Sequence, residues 1–444
     1  MALEFLQKKK LKNISLLSVA IIVGMLLIIA IDSFFKKSNQ PTKGITQIYF
    51  ADNISIAHEA LIRQFNETYR GKIEVIPINL PFAKFSTNER KELLTRSLRS
   101  KSDLIDVFAV DLIWVPRFAK WSEPLHVYVN TLERQNILPE ALQSCYYGEQ
   151  LVALPLYIDI GMMYYRRDLL QSLPGYEQLV QKLKNSISWE ELIQLKKDYF
   201  STTQNFYLFA AKSYEGLICS FIELLISQNE NLFNKDVIGL DTPEARKALN
   251  LLVDLVHTYQ LTPAVVVNFD EYQTYLYAVE NDAVFLRGWP GFLQQYPQVV
   301  GDTTKFRFFE MAALPHLQGA KPLSVYGGWN LMISKYSNHK WAALKFIQYA
   351  LQPESQKILY TNGGYIPVNL HVYQDSTFMH AHPELAYYRE LLQRGVHRPY
   401  RTDYTKLSDI ISQYVHLSIK KELSPEEALT RITQLIHSDR FVFE

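Results

Sequence analysis

The chain has 444 residues, 48% apolar and 20% charged, which excludes wholesale disorder and leaves room for two or three domains or one two-lobed body. Its net charge is +1, but residues 1–40 carry six lysines against Glu4 and Asp32, so the rest balances 40 basic against 43 acidic groups. A body that slightly acidic lacks the positive field of a nucleic-acid binder, and two cysteines, Cys145 and Cys219, allow one bridge but no disulfide framework or zinc site of their own.

The first forty residues read as a membrane-targeting element. Lys8, Lys9, Lys10 and Lys12 precede an uncharged run from Asn13 to Ile31, which Asp32 closes. Nineteen helical residues span about 28 Å, close to the bilayer hydrocarbon. The basic flank holds its own side in the cytoplasm and sends the remainder outward. No A-x-A site and no cysteine follow the run, which favours an uncleaved anchor over a cleaved signal. Residues 38–44 then suit a short tether.

Strand-like and helical segments alternate next. Ile45 to Ala51, Ile73 to Leu80 and Leu104 to Val110 are β-branched and aromatic runs, while 57–69 and 88–100 carry apolar residues at helical spacing. That alternation predicts a parallel sheet covered on both faces, with ligands beyond the carboxyl ends of the strands. Asp52, Asn53 and Asp111 stand at those ends. Further on, Ser188-Trp-Glu-Glu191 and Ser424-Pro-Glu-Glu427 match the capping box, and Asp241-Thr-Pro-Glu244 opens another helix. In 340–351, Trp341, Leu344, Ile347 and Leu351 fall on one stripe, which predicts a core position for Trp341. No interior linker divides the body.

The motifs of catalysis are missing. There is no G-x-x-x-x-G-K-[ST] loop, no G-x-G-x-x-G and no G-x-S-x-G elbow, and His58-Glu59 lacks the second histidine of a zinc-protease helix. His380 and His382 read as solvated. Asp111 and Asp159 are the carboxylates to nominate for a glycoside hydrolase, although acids that hydrogen-bond sugar hydroxyls look the same in sequence.

Residues 147–169, YGEQLVALPLYIDIGMMYYRRDL, resemble the extracellular solute-binding proteins of ABC sugar importers, in the branch that takes trehalose, maltose and related oligosaccharides. Seven further segments agree in order: DVFAVDLIW at 106–114, SWEEL at 188–192, YEGL at 214–217, AVFLRGWP at 283–290, YGGWN at 326–330, GGYIP at 363–367, and RPY at 398–400 with LSD at 407–409. The resemblance implies an α/β fold of two lobes with a sugar cleft between them. One lobe would take 45–158 and 315–362, the other 159–314 and 363–444, with crossovers at 154–165 and 312–315. It also implies a carbohydrate ligand, permease subunits with a separate ATPase, an extracytoplasmic location, and no cofactor or metal. A sensory ectodomain is the other non-enzymatic reading.

A pyranose offers apolar C–H faces and a rim of hydroxyls, which suit flat aromatic rings and charged hydrogen-bonding groups respectively. Trp289 and Trp329, each beside glycine or proline, are the expected stacking platforms, against a core role. Tyr157 and Asp159, two apart on a crossover strand, share one face directed at the cleft. Asp111 and Arg398 match family positions, with a helix N-cap and a structural ion pair as their other roles. Asn53, Arg90, Tyr214, Glu215, Arg287, Gly327 and Tyr365 complete the expected set. Asp52 and Glu59 compete for the family's early acidic ligand. Gly291 stands where relatives often place an aromatic, which would widen the site.

Overall fold

The computed structural model describes residues 44–81, 84–85, 87–229, 239–299 and 303–437. The expected anchor at 13–31 lies outside the described residues. Among those described, no helix is long and apolar enough to cross a membrane.

The strands are β1 (Thr46–Asp52), β2 (Ile73–Asn79), β3 (Val107–Asp111), β4 (Tyr146–Tyr147), β5 (Gln150–Leu151), β6 (Leu154–Ile160), β7 (Met162–Arg166), β8 (Tyr207–Leu208), β9 (Phe285–Gly288), β10 (Phe309–Ala312), β11 (Ser324–Ile333) and β12 (Gly395–Val396). They form two larger sheets and a small β4–β5 hairpin. The first sheet runs β12-β11-β3-β1-β2, with β6 on the other side of β11; the second runs β10-β7-β9-β8. β1 pairs in parallel with β2 and β3, as the alternation of strand and helix predicts. The sheet as a whole is mixed, because β11 runs antiparallel to both β3 and β6. A single residue, Gly161, separates β6 in the first sheet from β7 in the second, inside the segment expected to cross over. The 363–444 segment contributes β12, which pairs with Ser324 and Val325 at the start of β11.

Local chemistry explains the helix starts. Ser188 Oγ accepts from the Glu191 amide at 3.1 Å, and the Glu191 carboxylate accepts from the Ser188 amide at 3.2 Å, which satisfies two otherwise orphaned donors. Thr242 caps the Pro243–His257 helix with proline in its first turn. The Ile56–Thr68 helix buries Ala57, Leu61, Ile62 and Phe65 on one stripe. Phe65 meets Phe346 at 5.2 Å between ring centroids, and Phe346 meets Phe50 at the same distance, so helix and sheet lock through three rings. Cys145 and Cys219 are buried and not joined.

The core position expected of Trp341 is not observed. On the Lys340–Ala350 helix Ala342, Ala343, Leu344, Phe346, Ile347, Tyr349 and Ala350 are buried, and Trp341 is 65% exposed. At 100° per residue Trp341 lies about 160° from Ala343, on the far side from the sheet. It shields the stem of Lys345, whose Nζ lies 5.6 Å from the ring centroid. The stripe read from sequence shares Leu344 and Ile347 with the buried face, and Trp341 lies outside it.

Trp341→Ala should therefore change stability by no more than about 0.5 kcal/mol. Phe346→Ala, which empties the junction of three rings, should cost about 3–5 kcal/mol. Urea unfolding of the two variants checks the contrast.

Candidate functional site

The carboxyl ends of the parallel strands do carry the polar groups. Asp52, the last residue of β1, is buried and salt-bridged to Arg90 at 2.7 Å and to His58 at 3.2 Å. It orients its neighbour, since the Asn53 amide donates to Asp52 Oδ1 at 2.6 Å, but Asn53 rather than Asp52 lines the cavity described below. Glu59, the competing acid, lies on the outer surface of the Ile56–Thr68 helix with Arg63 and Glu67.

Asp111 ends β3. Its Oδ1 accepts from the Ile113 amide at 3.0 Å and from Arg398 Nη2 at 2.8 Å, so the N-cap and the ion pair are both real. Arg398 is buried and reaches Glu215 Oε1 at 2.5 Å with its other terminal nitrogen. Glu215 opens the Glu215–Gln228 helix and also accepts from Tyr404 and Ser408, each at 2.5 Å. Burial lifts its carboxyl above the ordinary range, and Arg398 works against that rise.

Between these groups lies a cavity of about 170 Å³. Asn53, Asp111, Tyr157, Asp159, Glu215, Trp289, Gly327, Trp329, Tyr365 and Arg398 all line it. Tyr157 and Asp159 alternate with inward residues of β6, and they pair with Trp329 and Gly327 of β11 across the ladder. The Tyr157 and Tyr365 rings meet at 4.3 Å. Trp289 follows β9 in the second sheet and rests on Gly327 of the first, where a Cβ would come within 2.7 Å of the indole.

The remaining expected contacts, Arg90, Tyr214, Arg287 and Asp52, do not line the cavity. They sit behind it. The Arg90 guanidinium lies 4.1 Å from the Trp329 ring centroid and is held by Asp52; the Arg287 guanidinium lies 4.2 Å from Trp289 and is held by Glu223 at 2.8 Å. Each tryptophan thus has one face on a buried cation that a carboxylate holds in place, a favourable placement over the ring quadrupole. Tyr214 supports Glu271, which lines the cavity, by a hydrogen bond from its hydroxyl.

Thr87, Glu271, Tyr275, Gln295 and Tyr296 also line the cavity, and no sequence motif marked them. Tyr275 accepts from the Trp289 amide at 2.9 Å, and only this tertiary contact distinguishes it from the core tyrosines. Gly291 lines the cavity. Gly291 has φ +90°, and a Cβ there would lie 2.8 Å from the Gly363 carbonyl. A side chain at 291 is excluded by the left-handed backbone and by this close approach, and Gln295 Nε2 donates to the same carbonyl at 2.7 Å.

Asp159 is electrostatically distinct. Its Oδ1 is buried without a hydrogen-bond partner among the described residues, although the side chain borders the cavity. Burial, with a smaller contribution from Asp111, holds its carboxyl well above the usual range. Asp111, in contrast, has Arg398 beside it. Among the described residues no group of three or more His, Cys, Asp or Glu side chains is placed to hold a metal ion.

The described geometry has counterparts among known proteins. Residues 60–387, well over half the chain, match the model of the bacterial extracellular solute-binding proteins. The chain is 26% identical over 348 residues to a probable ABC transporter-binding protein of Deinococcus radiodurans, covering 77% of this chain and 82% of that one. Maltose-bound MalE3 of T. maritima superimposes with a TM-score of 0.79 at 26% identity, over 88% of this chain and 99% of the other. An ABC transporter solute-binding protein of Thermotoga lettingae bound with α-D-tagatose shares the fold, with a TM-score of 0.74 at 21% identity over 89% and 100% of the two chains. The chain belongs to the bacterial extracellular solute-binding proteins, a family of receptors and not of enzymes.

An Asp whose folded pKa is raised contributes most below its unfolded value near 4 and loses that contribution as pH climbs through the folded value. Asp159→Asn removes the titration. Its stability relative to the natural chain should therefore rise as pH climbs above about 4 and level off once the folded Asp159 has ionised. Urea unfolding at several pH values measures this, and a flat difference would mean that Asp159 ionises normally.

Proposed function

We propose that this member of the solute-binding family is the receptor component of an ABC sugar importer, and that its ligand is a neutral di- or oligosaccharide of the maltose or trehalose kind. The observation that carries the reading is the convergence of Trp289 and Trp329, from different sheets, on a cavity bordered by the unpartnered Asp159 carboxyl. Two ring faces suit the C–H faces of two sugar units. Asp159, Asn53, Glu271 and the outer edges of Asp111 and Arg398 suit their hydroxyls. Maltose in the T. maritima relative supports a glucoside of this class.

In this reading 45–158 with 315–362 and 159–314 with 363–444 form two lobes, and ligand favours the closed arrangement because only there do both lobes touch it. The ion pair between Arg398 and Asp111, which joins the two sets of segments, would be made on closure. A micromolar affinity corresponds to about −8 kcal/mol, the scale of two stacked rings and several charge-assisted hydrogen bonds. The uncharged run at 13–31 would keep the receptor at the cytoplasmic membrane, near permease subunits served by a separate ATPase.

Thermal-shift screening of the full chain against maltose, trehalose, maltotriose, tagatose and glucose tests the assignment. A saccharide at 100 times its dissociation constant should add about 2.7 kcal/mol to stability. Trp289→Ala should weaken that saccharide by about tenfold or more, the loss of one stacked ring. No shift with any of them would remove the sugar reading.

A further inference from the structure

Arg287 does more than back a ring. Its Nη2 donates to Glu223 Oε1 at 2.8 Å, and its Nε lies 3.4 Å from Glu223 Oε2. The single Ser324 hydroxyl proton is shared between the Gly161 carbonyl at 2.6 Å and Glu223 Oε1 at 3.2 Å. The Gly161 amide donates in turn to the Val325 carbonyl at 3.0 Å. Gly161 is the lone residue between β6 and β7, where the chain leaves the first sheet for the second. Arg287, Glu223 and Ser324 are all buried, and none of them lines the cavity. A Cβ at 161 would strike the Glu223 carboxylate and the Ser324 hydroxyl. One carboxylate therefore holds both the guanidinium beneath Trp289 and the hydroxyl that grips the crossover.

We propose that Arg287 is a positioning residue that couples the Trp289 platform to the Gly161 crossover through Glu223 and Ser324. The proposal rests on the reading of Trp289 as a ligand platform. The Trp289 indole keeps its angle because the guanidinium beneath it is fixed by an ion pair buried on all sides. That same pair fixes the hydroxyl bonded to Gly161. A rotation at the crossover moves Ser324 against Glu223 and shifts the guanidinium under the ring, while a ligand that loads the ring resists the rotation. Binding and closure thus share a buried connection that contains no ligand-contacting group other than Trp289.

The test is a double-mutant cycle in the full chain, pairing Trp289→Phe with Ser324→Ala. It is read twice, by urea unfolding without ligand and by the dissociation constant for maltose as the probe. Ser324 does not line the cavity, so an unconnected serine would leave the effect of Trp289→Phe unchanged. The expected result is a coupling of about threefold or more in both readouts. It should vanish in an Arg287→Lys background, which keeps a positive charge opposite Glu223 but loses the planar face over the ring. Should Arg287→Lys not fold, Glu223→Gln takes its place. Coupling below about 1.5-fold without ligand, or coupling that survives the substituted background, overturns the proposal. A natural chain that binds no maltose counts against the sugar reading alone, and the unliganded cycle still decides the coupling.

Discussion

A guanidinium buried between two carboxylates sets the geometry of the site. Arg398 is held by Asp111 at the end of β3 and by Glu215 at the start of a helix on the other side of the cavity. Three positions far apart in sequence must meet at distances near 2.5–2.8 Å, because an ion taken out of water without partners costs several kcal/mol. Tyr404 and Ser408 add two further donors to Glu215, so its carboxylate is satisfied and has no reason to turn away. The end of β3 and the start of the Glu215–Gln228 helix are thereby held to one arginine. Around that fixed point the remaining polar groups either have partners or, as with Asp159 Oδ1, are left to a ligand.

The aromatic platforms follow a second rule. Trp289 and Trp329 come from different sheets and different local structures, yet each rests on an arginine that a buried acid holds. A ring supported on one face by a fixed cation cannot rock into the cavity, and the part that lines the cavity remains open to a solute. Stiffness of this kind lowers the ordering cost of binding. The same arginines, read in sequence as ligand contacts, therefore act one layer further back. Both are buried, each is paired with a carboxylate, and neither lines the cavity.

Much of this site was legible in the chain. Asp111, Tyr157, Asp159, Trp289, Trp329, Tyr365 and Arg398 were found because family-like segments carry them in order, and strand alternation put Tyr157 and Asp159 on one face. Asp52 does not line the cavity: a strand end predicts the neighbourhood of a site and not which of two successive residues faces it. Asn53 takes the exposed side, and Asp52 turns inward to His58 and Arg90. Glu271, Tyr275, Gln295 and Tyr296 carried no usable signal, since an acid or a tyrosine on a short helix reads the same whether it faces a core or a cleft. Trp341 failed for a related reason: spacing defines a stripe, but a helix with apolar residues over much of its surface leaves the buried meridian to its neighbours.

By itself the sequence determined the α/β class, the helix starts at Ser188 and within Asp241-Thr-Pro-Glu244, and the parallel pairing of the first strands. These follow from local preferences and from periodicity, which act over a few residues. Only the tertiary structure decided that a single residue, Gly161, separates β6 from β7, that Gly291 and Gly363 touch, and that Arg90 and Arg287 stand behind rings and do not line the cavity. Such choices depend on which groups from distant segments compete for the same buried space and the same charges. No short window of sequence contains both competitors.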